Sequence, residues 1–126
     1  MNKRIFISFA IEDVILRDFL VGQARNNNSP FEFVDMSVNE PWDSSWKTNC
    51  RRKIKGCDGM IIITTQNTPK ADGQLWEIKC ALEENVPALA IWGRKTGRRI
   101  SLPSEFTNFF VHDWSWPNIA DFIESL

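Results

Sequence analysis

The run Met60-Ile61-Ile62-Ile63-Thr64 is bounded by Asp58-Gly59 on one side and Gln66-Asn67 on the other. It is short, β-branched and apolar at neighbouring positions, which predicts a strand buried on both faces. Such a strand needs helices above and below it, and that requirement constrains everything else in the chain. The flanking segments supply them. Arg4-Ile5-Phe6-Ile7-Ser8-Phe9 reads as a first buried strand, and Ile11 to about Arg25 as an amphipathic helix with Ile11, Val14, Ile15 and Phe19 turned inward. Asn26 to Pro30 forms a turn, and Phe31 to Asp35 is a second strand nearer an edge. A loop over Met36 to Trp42 leads to a helix over Ser45 to Lys55, capped by Asp43 or Ser44 and ended by Gly56.

After the central strand comes a helix within residues 71–86. Leu75, Ile78 and Leu82 share one side at about 100° per residue, with Ala81 beside them. Asp72 suits its start and Asn85 its end. Ala88 to Trp92 is a fourth strand, residues 93–99 a basic exposed turn, and Phe109-Phe110-Val111 a weak fifth strand. A last helix runs to Leu126, with Ser115 as cap and Pro117 in its first turn. The order βαβαβαβαβα predicts an α/β, flavodoxin-like three-layer sandwich around a five-stranded parallel sheet of order 2-1-3-4-5.

A length of 126 residues fits a single domain over residues 1–126. Fifteen basic against sixteen acidic residues leave a net charge of −1, which argues against nucleic acid or a membrane surface as partner. No apolar run reaches bilayer length, and Met1-Asn2-Lys3-Arg4 leads straight into a strand without a signal-peptide core. Three scattered cysteines, Cys50, Cys57 and Cys80, fit reduced thiols, so a cytoplasmic location is expected. With His112 as the one histidine, no metal site is expected, and no serine or cysteine has a histidine base in prospect.

In a sheet of this order, ligands bind beyond the carboxyl ends of the strands, where strands 1 and 3 diverge. The loops there begin at Ser8, Asp35 and Thr64, and Glu77 follows the third. The first loop, Phe9-Ala10-Ile11-Glu12-Asp13, has no glycine and would repel phosphate; strand 3 lacks the terminal aspartate of a receiver domain. There is no GxGxxG and no GxxxxGK[ST]. So few ionisable groups suit the cleavage of an N-ribosyl bond whose leaving group needs no proton. Nicotinamide departs from NAD+ neutral, and the enzyme must shelter an oxocarbenium-like ribosyl cation. One carboxylate does this, and Glu77, near a helix N-terminus that favours its charge, is expected at the rim of such a cleft. Phe9, Trp46 and Trp76 are candidates for stacking against the bases. Glu83 and Glu84 are expected to face solvent, His112 to be a structural histidine, and Trp92, Trp114 and Trp116 to pack.

These residues resemble a known family. Ile5-Phe6-Ile7-Ser8-Phe9 with Glu12-Asp13 resembles the first box of TIR domains, Phe33-Val34-Asp35 their second strand and its terminal aspartate, and Trp46 to Ile63 their second helix and third strand. Leu75-Trp76-Glu77-Ile78-Lys79-Cys80-Ala81-Leu82 before Val86-Pro87 is similar to the segment that holds the family's NADase glutamate. The resemblance covers about residues 4–92 and looks most like bacterial TIR-like proteins of the Thoeris anti-phage sensor type. It implies catalysis at Glu77 and substrate contacts at Ser8, Phe9, Ala10, Asp35 and Trp46. It implies NAD+ as substrate rather than a prosthetic group, a nucleosidase, cyclase or ADP-ribosyl transferase outcome, and a diffusible ADP-ribose-derived signal to a separate effector. Assembly into a homo-oligomer or filament also follows from it. Two other readings of the residues stand beside this one. One is a non-catalytic TIR-type interaction module working through the 37–43 loop and exposed tryptophans. The other is a nucleoside deoxyribosyltransferase-like enzyme.

Overall fold

The computed structural model describes residues 3–28, 31–34, 44–102, 104–106 and 109–126. Asp35 and the 37–43 loop therefore lie outside the described residues. Five strands form one sheet: β1 (Lys3–Ser8), β2 (Phe31–Val34), β3 (Gly59–Thr64), β4 (Ala88–Trp92) and β5 (Val111–His112). Their order is β2-β1-β3-β4-β5, every pair is parallel, and β2 is an edge as expected. The helices are α1 (Val14–Asn26), α2 (Ser44–Lys55), α3 (Asp72–Glu83) and α4 (Trp116–Glu124). The chain is thus an α/β fold with the flavodoxin-like strand order.

Side-chain alternation along the strands builds two separate cores. Ile5, Ile7, Ile61, Ile63, Leu89 and Ile91 meet Leu16, Leu20 and Ala24 of α1 and Ile119 and Ile123 of α4 on one face. Phe6, Met60, Ile62 and Ala90 meet Trp46, Cys50 and Ile54 of α2 and Ile78, Cys80 and Ala81 of α3 on the other. The central register pairs Ile7 with Ile61 and Ile61 with Leu89, so three strands put apolar side chains at one level. Each fully buried isoleucine contributes about 1.5–3 kcal/mol relative to exposure. At the end of β4, Gly93 donates to the Thr64 carbonyl at 2.8 Å. A Cβ there would stand 2.8 Å from a Leu16 methyl and 2.9 Å from the Thr65 methyl, so the side chains packed over this strand end favour glycine.

Several expectations need correction. The segment after β1 opens as a 3-10 turn over Ile11–Asp13 before α1 proper. On α1 the buried stripe is Leu16, Leu20 and Ala24, whereas Ile11, Val14, Ile15 and Phe19 are exposed. The helix is apolar on both sides, so periodicity alone does not choose which side the sheet covers. On α3 the buried set is Gln74, Glu77, Ile78, Cys80 and Ala81, with Leu75 and Leu82 only partly covered. The true stripe is rotated one residue toward the N-terminus, and two of its members are polar. Asp72 is the first helical residue and makes no cap; Ala71 holds that position without a side-chain bond. Asn85 does end α3, in a left-handed conformation with φ +56 that asparagine tolerates well. Ser115 caps α4 by accepting from the Asn118 amide at 3.3 Å. β5 lies at Val111–His112, slightly later than expected, and His112 is exposed with its ring edge-on to Phe110 at 4.8 Å.

Candidate active site

Ser8 is the last residue of β1, and strand alternation turns its side chain toward the α2–α3 face. There its hydroxyl donates to Glu77 Oε1 at 2.8 Å. Ser8 is fully buried and Glu77 is 4% exposed, so the carboxylate lies inside the molecule and not at a cleft rim. This corrects the expected position, and the direct Ser8–Glu77 bond is not among the sequence expectations. A buried carboxylate requires hydrogen-bond donors, and a hydroxyl fixed by a strand is one that cannot drift away.

Gln74 reinforces the same point. It sits one turn before Glu77 on α3 and is 2% exposed. Its side-chain amide donates to the Ser8 carbonyl at 3.2 Å and to the Ile63 carbonyl at 2.8 Å. One side chain thereby ties the carboxyl ends of β1 and β3 to the helix that carries Glu77. Sequence reasoning missed Gln74. The available signal was its spacing of three from Glu77, which puts both on one helical face.

A second buried carboxylate lies at the same end of the sheet. Asp13 is 1% exposed and accepts from the Thr65 hydroxyl and from Asn67 Nδ2, the latter at 3.0 Å. The Thr65 hydroxyl also accepts from the Asn67 amide, and the Thr65 amide donates to the Thr68 hydroxyl, both at 3.0 Å. The loops leaving β1 and β3 are stitched together by this network. From the sequence Asp13 reads as a first-turn helix acid, and nothing local marks it as buried.

The remaining candidates divide between the faces. Trp46 is buried in the α2–α3 core. Trp76 is half-buried beside it, its indole flanked by the cations of Lys47, Arg51 and Lys79 at 4.7, 5.2 and 5.7 Å from the ring centroid. Phe9 instead packs in the α1–α4 core, with the Arg17 guanidinium 5.5 Å from its ring. Ala10 is buried and its carbonyl receives the Asp13 amide at 2.8 Å, closing the turn after β1. The structure therefore brings Ser8 and Glu77 into contact, adds Gln74, sets Trp46 and Trp76 on the same side, and turns Phe9 to the other.

Cys50 and Cys80 also face this region. Burial pushes the Cys50 thiol well above its ordinary range, and the nearby Glu77 carboxylate pushes it further. Burial pushes Cys80 up to about 11. Neither offers a thiolate nucleophile near neutral pH. Glu83 and Glu84 are partly engaged, accepting from Arg51 at 2.7 and 3.2 Å. A concavity of about 900 Å³ opens on the other side of the sheet between α1 and the loop after β4, bordered by Phe19, Trp92, Arg94 and Trp114; it contains none of the expected site residues. Among the described residues no group of histidine, cysteine or acidic side chains is arranged to hold a metal. No helix among them is long and apolar enough to cross a membrane.

No family model matches the chain, and no curated protein does. Among solved structures, the glutaminase domain of Trypanosoma brucei CTPS with bound acivicin aligns at a TM-score of 0.47 and 18% identity, over 72% of this chain and 36% of that one. The chain thus spans about a third of the length of the structure it matches.

Proposed function

We propose that the chain cleaves NAD+ at the bond between nicotinamide and ribose, with Glu77 as the catalytic carboxylate. The observation that carries the reading is the buried Ser8–Glu77 hydrogen bond at the carboxyl end of β1, where the strand order turns back. A carboxylate held in apolar surroundings is a strong stabiliser of a cation that forms beside it. The C1′–N bond breaks with its electron pair going to the nicotinamide nitrogen, which leaves neutral. The ribosyl cation is sheltered by Glu77 until water or an internal nucleophile attacks and gives up its proton. Ser8 and Gln74 are positioning residues: they fix where the carboxylate and the two strand ends stand relative to one another. Production of an ADP-ribose-derived signal in anti-phage defence is the biological setting that the TIR resemblance suggests.

The test is nicotinamide release from NAD+ by purified protein, with products identified by mass spectrometry. Glu77→Gln keeps the shape and removes the charge, and is expected to lower turnover by about 100-fold or more. Equal turnover in wild type and Glu77→Gln would overturn the assignment. Exchange of bases between nucleosides with no NAD+ loss would favour the deoxyribosyltransferase alternative.

One observation favours the interaction-module reading. Ile11, Ile15 and Phe19 are 50%, 53% and 61% exposed along one side of the α1 segment. An apolar stripe of this kind is a common mark of an interaction surface. Sedimentation of wild type against Phe19→Ser distinguishes a self-associating surface from a bare one.

A further inference from the structure

The helix α2 carries Lys47, Arg51, Arg52, Lys53 and Lys55 and no acidic residue. Cations in the last turn complement the helix dipole, which accounts for Arg52, Lys53 and Lys55. It does not account for Lys47 and Arg51. With Lys55 they repeat every four residues along one side, a like-charge pattern that weakens a helix. That side opens on a concavity of about 570 Å³ lined by Lys47, Thr48, Arg51, Arg52, Lys55 and Trp76.

The charges in it are only partly offset. Arg51 is held by Glu83 at 2.7 Å and Glu84 at 3.2 Å, and Lys55 stands 3.7 Å from Glu84. Arg52 makes no ion pair among the described residues. Lys47 aside, Arg51, Arg52 and Lys55 stand against the two acids Glu83 and Glu84, which leaves positive charge in excess. The whole chain has a net charge of −1, so this excess is local. A small basic concavity on a chain of net charge −1 suits a compact anion better than an extended nucleic-acid backbone. Its volume falls in the range of small-molecule sites. Arginine forks match phosphate oxygens, and the two acids that grip Arg51 fix its plane in advance.

We propose that this concavity binds the diphosphate or polyphosphate group of a small ligand. Arg52 and Lys55 supply the main contacts, Arg51 a third, and Trp76 the wall. The phosphate group has two possible sources, a free polyphosphate compound or the diphosphate of a dinucleotide. Binding at the site does not require that the chain cleave NAD+. Only the second source rests on that reading.

The experiment is equilibrium dialysis of inorganic pyrophosphate and tripolyphosphate against the whole chain in its Glu77→Gln form, which removes turnover from the measurement. Saturable binding is expected, weakening as salt rises from roughly 50 mM to roughly 300 mM. The double variant Arg52→Glu/Lys55→Glu is expected to bind at least about tenfold more weakly, and Lys53→Glu, outside the concavity, to bind as before. Circular dichroism confirms folding, and Arg52→Gln replaces the double variant if that does not fold. Displacement of pyrophosphate by NAD+ or ADP-ribose identifies a dinucleotide as the source; binding without displacement identifies a separate polyphosphate. Absence of saturable binding, or equal affinity in the folded variants, overturns the proposal. NAD+ cleavage is scored separately in the wild type, so failure of one reading leaves the other standing.

Discussion

Ser8 and Glu77 illustrate how much one buried hydrogen bond can require of its surroundings. Removing the Ser8 hydroxyl leaves the Glu77 oxygen that accepted it short of a donor. Ser8→Ala is expected to cost about 1–3 kcal/mol of stability and to lower NAD+ turnover, while Ser8→Thr keeps a hydroxyl and recovers part of both. Urea unfolding and nicotinamide release check the pair; unchanged turnover in a folded Ser8→Ala would remove Ser8 from the positioning role. Asp13 makes a separate case. Its two donors, Thr65 and Asn67, come from the loop after β3, so Asp13→Ala strands both of them. A loss of about 1–3 kcal/mol is expected in urea unfolding. A change near zero would mean that the network does not brace the two loops.

At the scale of elements, α1 separates pattern from placement. Its existence follows from its apolar periodicity, but the side it buries follows from packing against Ile7, Ile61 and Ile63. Leu20, with no exposed surface, is expected to cost about 2–5 kcal/mol when cut to alanine. Ile15→Ser, more than half exposed, is expected to change stability by less than about 0.5 kcal/mol. The reverse order in thermal unfolding would restore the inward face read from the sequence. On α3 the same ambiguity reaches the candidate site. Leu75 and Leu82 mark an apolar stripe, yet the side against the sheet also holds Gln74 and Glu77. Hydrophobic patterning is blind to polar residues that are buried because a strand end supplies partners for them. Glu77 stood out as a candidate through its place after the third strand and through the family resemblance, but as a rim residue and not a buried one. Gln74 and Asp13 were not, because each bonds to residues more than fifty positions away or to backbone carbonyls at strand ends.

The whole molecule is organised by its all-parallel sheet, and that much was readable from strands and helices in alternation. What alternation does not encode is that all three cysteines fall in one core, the one between the sheet and α2–α3, and there lies a pH dependence. All three cysteines are free and buried, and all three thiols are pushed upward, chiefly by burial. For Cys57 and Cys80 the rise is from 9.0 to about 11. A thiol loses charge-neutrality when it deprotonates, so the folded state holds its proton to higher pH than the unfolded chain does. Below about pH 9 both states are protonated and the full stability is present. As pH climbs from about 9 to about 11, the unfolded chain releases protons first and is favoured by up to about 1.4 kcal/mol per thiol and pH unit. Urea midpoints should therefore fall over that window, and the fall should shrink in Cys57→Ala/Cys80→Ala, which removes the two thiols and leaves the lysines that titrate nearby. The native chain should also resist a thiol-specific disulfide reagent at about pH 8 and expose all three cysteines once unfolded. Rapid native labelling at that pH, or equal alkaline slopes in wild type and double variant, would show that the α2–α3 core is more open to water than its packing indicates.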